Sequence, residues 1–363
     1  MRGARNVQST PARIVVRGVN WVGDTIMALP ATRALRRIFP SAHIAFWVPS
    51  GLESLLRITG MPDEIISFGK DQGGAFKRSL LMKDRLKQGH FDLAILFQNA
   101  FESAFTAWIA GIKLRAGFST DLRGPFLNIK VPLHSSVLKR HQVYYYLEIA
   151  QHLDNLFKLG RYNSLIKPDC LLRPSPRELV VARRLLVKEG INSEVSMICL
   201  CPGSVNSEAK RWPAEYFADL ADLLVDETGS QIIFLGAIQE EDLIDGIIGR
   251  MKKSNAFNFA AKSDLVSSLG IMNLSDMVIS NDTGSAHLAA AAGTKVLTIF
   301  GPTVAGETAP FGNNTFIIQG KASCAPCREH QCRTPGHPCM RKLTPLMVAG
   351  KALEIMALPY EKK

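Results

Sequence analysis

Short apolar runs rich in β-branched residues alternate with stretches of helical period along most of the chain. Runs at 13–16, 43–48, 64–68, 92–97 and 114–118 read as strands. Between them 25–39, 52–59, 76–88 and 102–110 read as helices. A long helical stretch over 141–159 ends at a break rich in glycine, proline and polar residues, 160–176. The pattern then restarts. Runs at 195–200, 231–235, 277–279 and 295–300 read as buried strands, and 213–227, 240–251, 263–272 and 285–292 as helices. Such alternation argues for an α/β protein with parallel sheets wrapped by helices, and the restart argues for two such halves. Ligands of open parallel sheets bind beyond the carboxyl ends of the strands, so two facing halves would place a cleft between them. The expected division is 1–165 and 166–345. The helical stretch near the end, within 346–363, either closes the second half or crosses back to the first.

Length and composition fit this picture. The chain has 363 residues, enough for two ordinary domains, with 47% hydrophobic and 21% charged residues. A net charge of +11 favours anionic partners: nucleic acid, anionic lipid or phosphorylated sugars. The basic residues are scattered, with small clusters at 139–141 and 210–211. No nucleic-acid motif or stripe of interleaved aromatics accompanies them, so nucleic acid is not an expected partner. The first apolar run is broken by Arg17, Asn20 and Asp24, which argues against a signal peptide or spanning helix. The expectation is a cytoplasmic protein that touches a membrane surface. Seven cysteines, four of them in one late loop, do not form a secreted disulfide framework.

Three loops carry the chemistry. The first, Arg17-Gly18-Val19-Asn20-Trp21-Val22-Gly23-Asp24-Thr25, has the glycine spacing and hydroxyl of a phosphate loop. Asp24 occupies the lysine position, where its charge would repel a phosphate. Two roles are open to it: a helix N-cap worth ~0.5–2 kcal/mol, or a base that takes a proton from a substrate hydroxyl. Pro30 either kinks the following helix or marks where its regular part begins.

The second loop follows a buried strand at Cys201-Pro202-Gly203-Ser204 and runs to Lys210-Arg211-Trp212-Pro213. A lysine just before a helix start supplies a point charge beside free N–H groups, a suitable setting for phosphate. A solvated surface pair is the alternative. The third is Ser280-Asn281-Asp282-Thr283-Gly284-Ser285-Ala286-His287, between two hydrophobic strands. Free N–H groups at 283–286 suit a diphosphate. Asp282 is the discordant residue, with orienting the loop as the role open to it. His287 is either a nearby ligand contact or a satisfied helix residue.

Taken together, these stretches resemble the bacterial lipopolysaccharide heptosyltransferases, glycosyltransferase family 9. The resemblance rests on residues 20–24 with Pro30, on 202–204 with 209–213, on 280–284 with His287, and on Gly301-Pro302-Thr303. It implies a GT-B-type architecture of two Rossmann-like domains facing a central cleft, the acceptor held by the first and the donor by the second. It implies transfer of L-glycero-D-manno-heptose, with inversion, from ADP-heptose to the heptose/Kdo inner core carried on lipid A. It implies no cofactor and no required metal. By matched position Asp24 resembles the general base, and Ser204, Lys210, Asp282, Thr283, Gly284 and His287 the diphosphate site. Family members often hold the donor ribose with an acidic residue soon after the glycine equivalent to Gly236. Here Glu240 and Glu241 come later and are the ribose candidates. Lys70 and Arg123 are the acceptor candidates.

The loop holding Cys324, Cys327, Cys332 and Cys339, with His330 and His337, has enough ligands for zinc but not the spacing of a standard finger. A similar loop occurs in one group of the family, and reduced structural thiols are the favoured reading. Two alternatives stay open for function: a transferase of the same fold with another sugar nucleotide or acceptor, and a non-catalytic nucleotide-sugar-binding module. A dehydrogenase is disfavoured, because no G-x-G-x-x-G follows a strand.

Overall fold

The computed structural model describes residues 9–69, 74–192, 194–253 and 255–359, in two units, Met1–Asp169 and Cys170–Lys363. In the first, the strands are β1 (Arg13–Arg17), β2 (His43–Pro49), β3 (Glu64–Phe68), β4 (Leu93–Leu96), β5 (Leu114–Phe118) and β6 (Ile129–Val131). The helices are α1 (Val22–Ile38), α2 (Glu53–Ile58), α3 (Ala75–Gln88), α4 (Phe101–Ile109), α5 (Ser135–Leu138) and α6 (Gln142–Phe157). In the second unit the strands are β7 (Met197–Cys201), β8 (Gln231–Phe234), β9 (Ala256–Asn258), β10 (Met277–Asn281), β11 (Lys295–Phe300) and β12 (Thr315–Gln319). Its helices are α7 (Pro176–Lys188), α8 (Ala214–Thr228), α9 (Glu241–Ile248), α10 (Leu265–Leu274), α11 (Gly284–Ala292), α12 (Ala305–Thr308), α13 (Pro338–Arg341) and α14 (Pro345–Ala357).

Each unit is a parallel six-stranded sheet with flanking helices, ordered β3-β2-β1-β4-β5-β6 and β12-β11-β10-β7-β8-β9. Central strands buried on both faces read as continuous apolar runs rather than alternating ones. Thus Val15 pairs with Ala45 on one side and Ala94 on the other, and Ile279 lies between Leu200 and Leu297. The strand order reverses between β1 and β4 in the first sheet and between β7 and β10 in the second. The loops at those two points are where ligands of such sheets bind.

Helix ends are set by local chemistry. Ser175 and Glu178 form a reciprocal capping box at α7, and Asp264 caps α10 by accepting from Ser267 N at 2.7 Å. Gly293 stops α11 with φ +84°, the left-handed turn that glycine adopts without strain. Helix α1 starts at Val22, three residues before the expected start, and continues through Pro30 to Ile38. Helix α14 joins the second core: Val348, Ala349, Ala352 and Ile355 pack with Phe217, Leu220 and Leu224 of α8. The unit boundary falls after Asp169, four residues beyond the expected division.

Candidate active site

The loop after β1 is organised by Arg17. Its buried guanidinium lies over the rings of Trp47 and Phe68, 5.0 and 4.9 Å from their centroids. It donates to Gly18 O and, at 2.7 Å, to Asn20 Oδ1. Burial pushes its pKa down to about 9, which still leaves a cation near neutrality. The chain then enters α1, whose N-cap is Trp21, with no side-chain capping bond there. Asp24 is the third helical residue, so the capping role left open by the sequence does not apply. It is half-buried. Tyr146, on α6, donates its hydroxyl to Asp24 Oδ1 at 3.4 Å. Burial raises the Tyr146 phenol well above its ordinary value, and the Asp24 carboxylate adds to the effect. Asp24 therefore faces a phenol that stays protonated as a donor.

The loop after β4 lies across the same switch point. Asn99 donates from Nδ2 to the Tyr145 hydroxyl at 2.7 Å. Its Oδ1 accepts from Arg123 at 2.8 Å. Arg123 has no exposed surface. Its guanidinium also donates to Phe118 O at 2.8 Å and to Gln98 O. Against the acceptor-binding expectation, the structure spends this side chain on bracing the loops after β4 and β5. Burial lowers its pKa to about 10. Lys70, the other acceptor candidate, lies outside the described residues.

In the second unit the diphosphate candidates converge at the switch between β7 and β10. Asn281, fully buried at the end of β10, donates from Nδ2 to Pro202 O at 2.7 Å and accepts from Trp212 N at 3.1 Å. This one amide ties both ends of the second loop, at Pro202 and Trp212, to the end of β10. Arg211 donates twice to Ser204 O, at 3.1 and 3.0 Å. Lys210 Nζ sits 2.7 Å from Asp282 Oδ2, and the same oxygen accepts from Thr303 Oγ1 at 2.7 Å. Asp282 is only 4% exposed while Lys210 keeps 26%. The carboxylate thus holds the ammonium and Thr303 together and leaves part of the ammonium open.

Thr283 is the N-cap of α11 in extended conformation, and Gly284 is the first helical residue. The first N–H groups of a helix have no partners within it, and with the helix dipole they favour an anion. His287 lies one turn into α11 and is buried.

Glu240 is nearly buried and accepts from Ala237 N at 2.9 Å. A Cβ added at Gly203 would lie 1.9 Å from Glu240 Oε1. Only glycine lets the loop after β7 approach this carboxylate. Glu240 is thus beside the loop after β7, whereas Glu241 is exposed on α9.

The cysteine loop supports this site. His330 O accepts from Ala209 N at 3.0 Å and from Ser207 Oγ at 3.2 Å. His337 Nε2 is 2.8 Å from Ala209 O, and Arg328 N donates to Pro302 O at 2.7 Å. The loop therefore backs both the Lys210 segment and the Gly301-Pro302-Thr303 turn. Its cysteines are free thiols, Cys339 buried and Cys327 and Cys332 exposed. Among the described residues no group of three or more His, Cys, Asp or Glu is arranged to hold a metal ion.

Sequence reasoning missed Tyr146 and Asn99, and it read the cysteine loop as structural without the segments that it backs. Tyr146 lies in the run Tyr144-Tyr145-Tyr146, where Tyr145 is buried too, and only the contact of its hydroxyl with Asp24 distinguishes it. Asn281 and Thr303 were inside the quoted motifs but without assigned roles.

Two Rossmann-like parallel sheets, each with its polar loops gathered at the strand-order reversal, make up a GT-B-type fold. The E. coli ADP-heptose LPS heptosyltransferase II structure has the same fold, with TM-score 0.80, 24% identity and coverage of 95% of this chain and 98% of that one. The sequence profile of glycosyltransferase family 9 (heptosyltransferase) matches residues 80–337, and the chain belongs to that family. The chain is 26% identical to lipooligosaccharide heptosyltransferase 2 of Campylobacter jejuni, over 95% of its own length and 98% of that protein. It is 26% identical to lipopolysaccharide heptosyltransferase 2 of Escherichia coli K12, over 85% and 88%.

Proposed function

We propose that this glycosyltransferase moves L-glycero-D-manno-heptose from ADP-heptose to a heptose of the lipopolysaccharide inner core, with inversion. The observation that carries the reading is the second unit's cluster: Lys210 held by buried Asp282, next to the N-terminus of α11. In this reading the cluster is a preorganised anion site. Relatives named heptosyltransferase 2 support the choice of sugar and pathway.

In this reading Asp24 accepts the proton of the acceptor hydroxyl. The oxygen forms a bond to the anomeric carbon as the bond from that carbon to the diphosphate oxygen breaks. The electron pair leaves with ADP, and a single displacement inverts the anomeric centre. Charge developing on the diphosphate meets Lys210 and the N–H groups at 283–285, which are already oriented for it. Tyr146 holds the Asp24 carboxylate. Glu240, beside Gly203, is the ribose contact. A basic protein suits an acceptor bearing carboxylates and phosphates, at the cytoplasmic face of the inner membrane. No helix among the described residues is long and apolar enough to cross a membrane.

The test is incubation of the purified protein with ADP-heptose and, separately, with UDP-sugars, plus a lipid A-linked core acceptor. Release of ADP with a mass gain of one heptose on the acceptor is expected. Turnover with a UDP-sugar instead would move the protein to another donor class, and binding without turnover would make it a nucleotide-sugar-binding module.

A further inference from the structure

Helix α4 is built inside out. Its buried side chains are the small ones, Ser103, Ala104, Thr106 and Ala107. Phe101, Phe105 and Trp108, at i, i+4 and i+7, form one stripe on the other face, and Phe101 and Trp108 are 45% and 49% exposed. The stripe continues onto neighbours. Phe76 of α3 stacks on Phe105 at 6.3 Å and is 66% exposed. Phe126 packs edge-on to Phe101 at 5.2 Å and to Phe105 at 5.6 Å. Leu80 and Leu81 of α3 add two more exposed apolar side chains. A contiguous patch of this kind costs hydration free energy unless something covers it.

The charge around it is mostly basic. Helix α3 carries Lys77, Arg78, Lys83, Arg85 and Lys87 against Asp84 alone. Lys113 follows α4, and its carbonyl accepts from Asn128, two residues past Phe126. Lys113 and Lys130 are exposed, as is Lys77 beside Phe76. The acidic residue of α4, Glu102, is neutralised by Arg78 at 3.0 Å. Aromatic rings with a basic rim match the interfacial zone of an anionic bilayer, where rings sit at the headgroup level and lysines meet lipid phosphates.

We infer that the α3–α4 face docks on an anionic phospholipid surface through Phe76, Phe101 and Trp108, with Lys77 and Lys113 on lipid phosphates. The purpose of such docking rests on the proposed lipid-linked acceptor. The docking itself needs neither donor nor acceptor.

The experiment is co-sedimentation of the full chain with vesicles of phosphatidylethanolamine and phosphatidylglycerol, and with phosphatidylcholine vesicles, without sugar substrates. The parent is expected to bind the anionic vesicles and to be released by salt. Phe76→Ser/Trp108→Ser, which alters exposed side chains only, is expected to weaken binding by at least about tenfold. Lys77→Glu/Lys113→Glu is expected to abolish the preference for anionic vesicles. Transfer to a deacylated, water-soluble core acceptor is expected to stay at the parental rate in both variants. Unchanged vesicle binding by the aromatic variant, or a parent that ignores anionic vesicles, would overturn the inference. Concentration-dependent dimerisation abolished by the aromatic variant would also overturn it, assigning the face to a second copy. Failure of ADP-heptose turnover in the parent would instead strike the transferase reading and leave the vesicle result standing.

Discussion

Lys210 Nζ lies 2.7 Å from Asp282 Oδ2 in an ion pair whose carboxylate is buried and whose ammonium is partly open. The pairing gives a role to Asp282, the discordant acidic residue of the third loop. Lys210 and Thr303 share one Asp282 oxygen, so the end of β10 and the turn after β11 are locked together at the place where Lys210 arrives.

Lys210→Ala removes the cation and strands a buried carboxylate. ADP affinity is expected to fall by about tenfold or more, as for loss of a charge-assisted contact. Asp282→Asn is expected to weaken ADP binding too, by releasing Lys210. Titration calorimetry with ADP checks both. A gain in affinity for Asp282→Asn would mean that the carboxylate competes with phosphate instead of positioning the lysine.

Gly203→Ala forces a Cβ to within 1.9 Å of Glu240 Oε1. The loop after β7 or the carboxylate must move. The expected result is a fold that survives with ADP affinity reduced by about tenfold, because a shift of this size disrupts a preorganised site. Parental affinity would show that this loop does not touch the donor.

The fold was legible because β1, β2, β4, β7, β8, β10 and β11 are apolar runs flanked by turn residues. The strands that were not read fall at or near the sheet edges. β6 and β9 have three residues each, too few to show a period, and β12 exposes alternate positions. Helix α7 was hidden because the polar break was carried up to 176 and the helix is mostly solvent-facing, with only Ala182 and Leu186 buried. At the site, motifs placed Lys210 and Asp282 near each other in kind but not in contact. Their separation of 72 residues cannot be bridged by spacing; only the adjacency of β7 and β10 does so. Arg123 shows the opposite error. An arginine in a glycine-flanked loop looks like a ligand contact, but its three carbonyl and amide acceptors come from segments that only the fold brings together.

Arg123→Ala is expected to lower the unfolding free energy by about 3 kcal/mol, through a cavity and stranded buried carbonyls. Urea unfolding measures it. A loss under about 0.5 kcal/mol, as for surface substitutions, together with a raised acceptor KM would return Arg123 to the acceptor site.

Alkaline stability follows from Tyr146. Its folded pKa is raised above the ordinary 10.0 by burial, then by Asp24. Between the two values the unfolded chain has lost the proton and the folded one keeps it. The unfolded state then binds fewer protons, so stability falls as pH rises above 10.0. Tyr146→Phe is expected to flatten that fall, seen as a smaller difference in urea midpoint between pH 9 and pH 11 on this scale. An identical difference in parent and variant would contradict the buried-phenol account.

The central claim is that Asp24 is a base and not a cap. The measurement that tests it most directly is the transfer rate of Asp24→Asn with ADP-heptose, with ADP affinity and thermal unfolding measured on the same sample. Asparagine keeps the shape and the hydrogen bond from Tyr146 but cannot take the proton. The account predicts a rate reduced by at least about a hundredfold, with ADP affinity and unfolding temperature as in the parent. Transfer near the parental rate would contradict it.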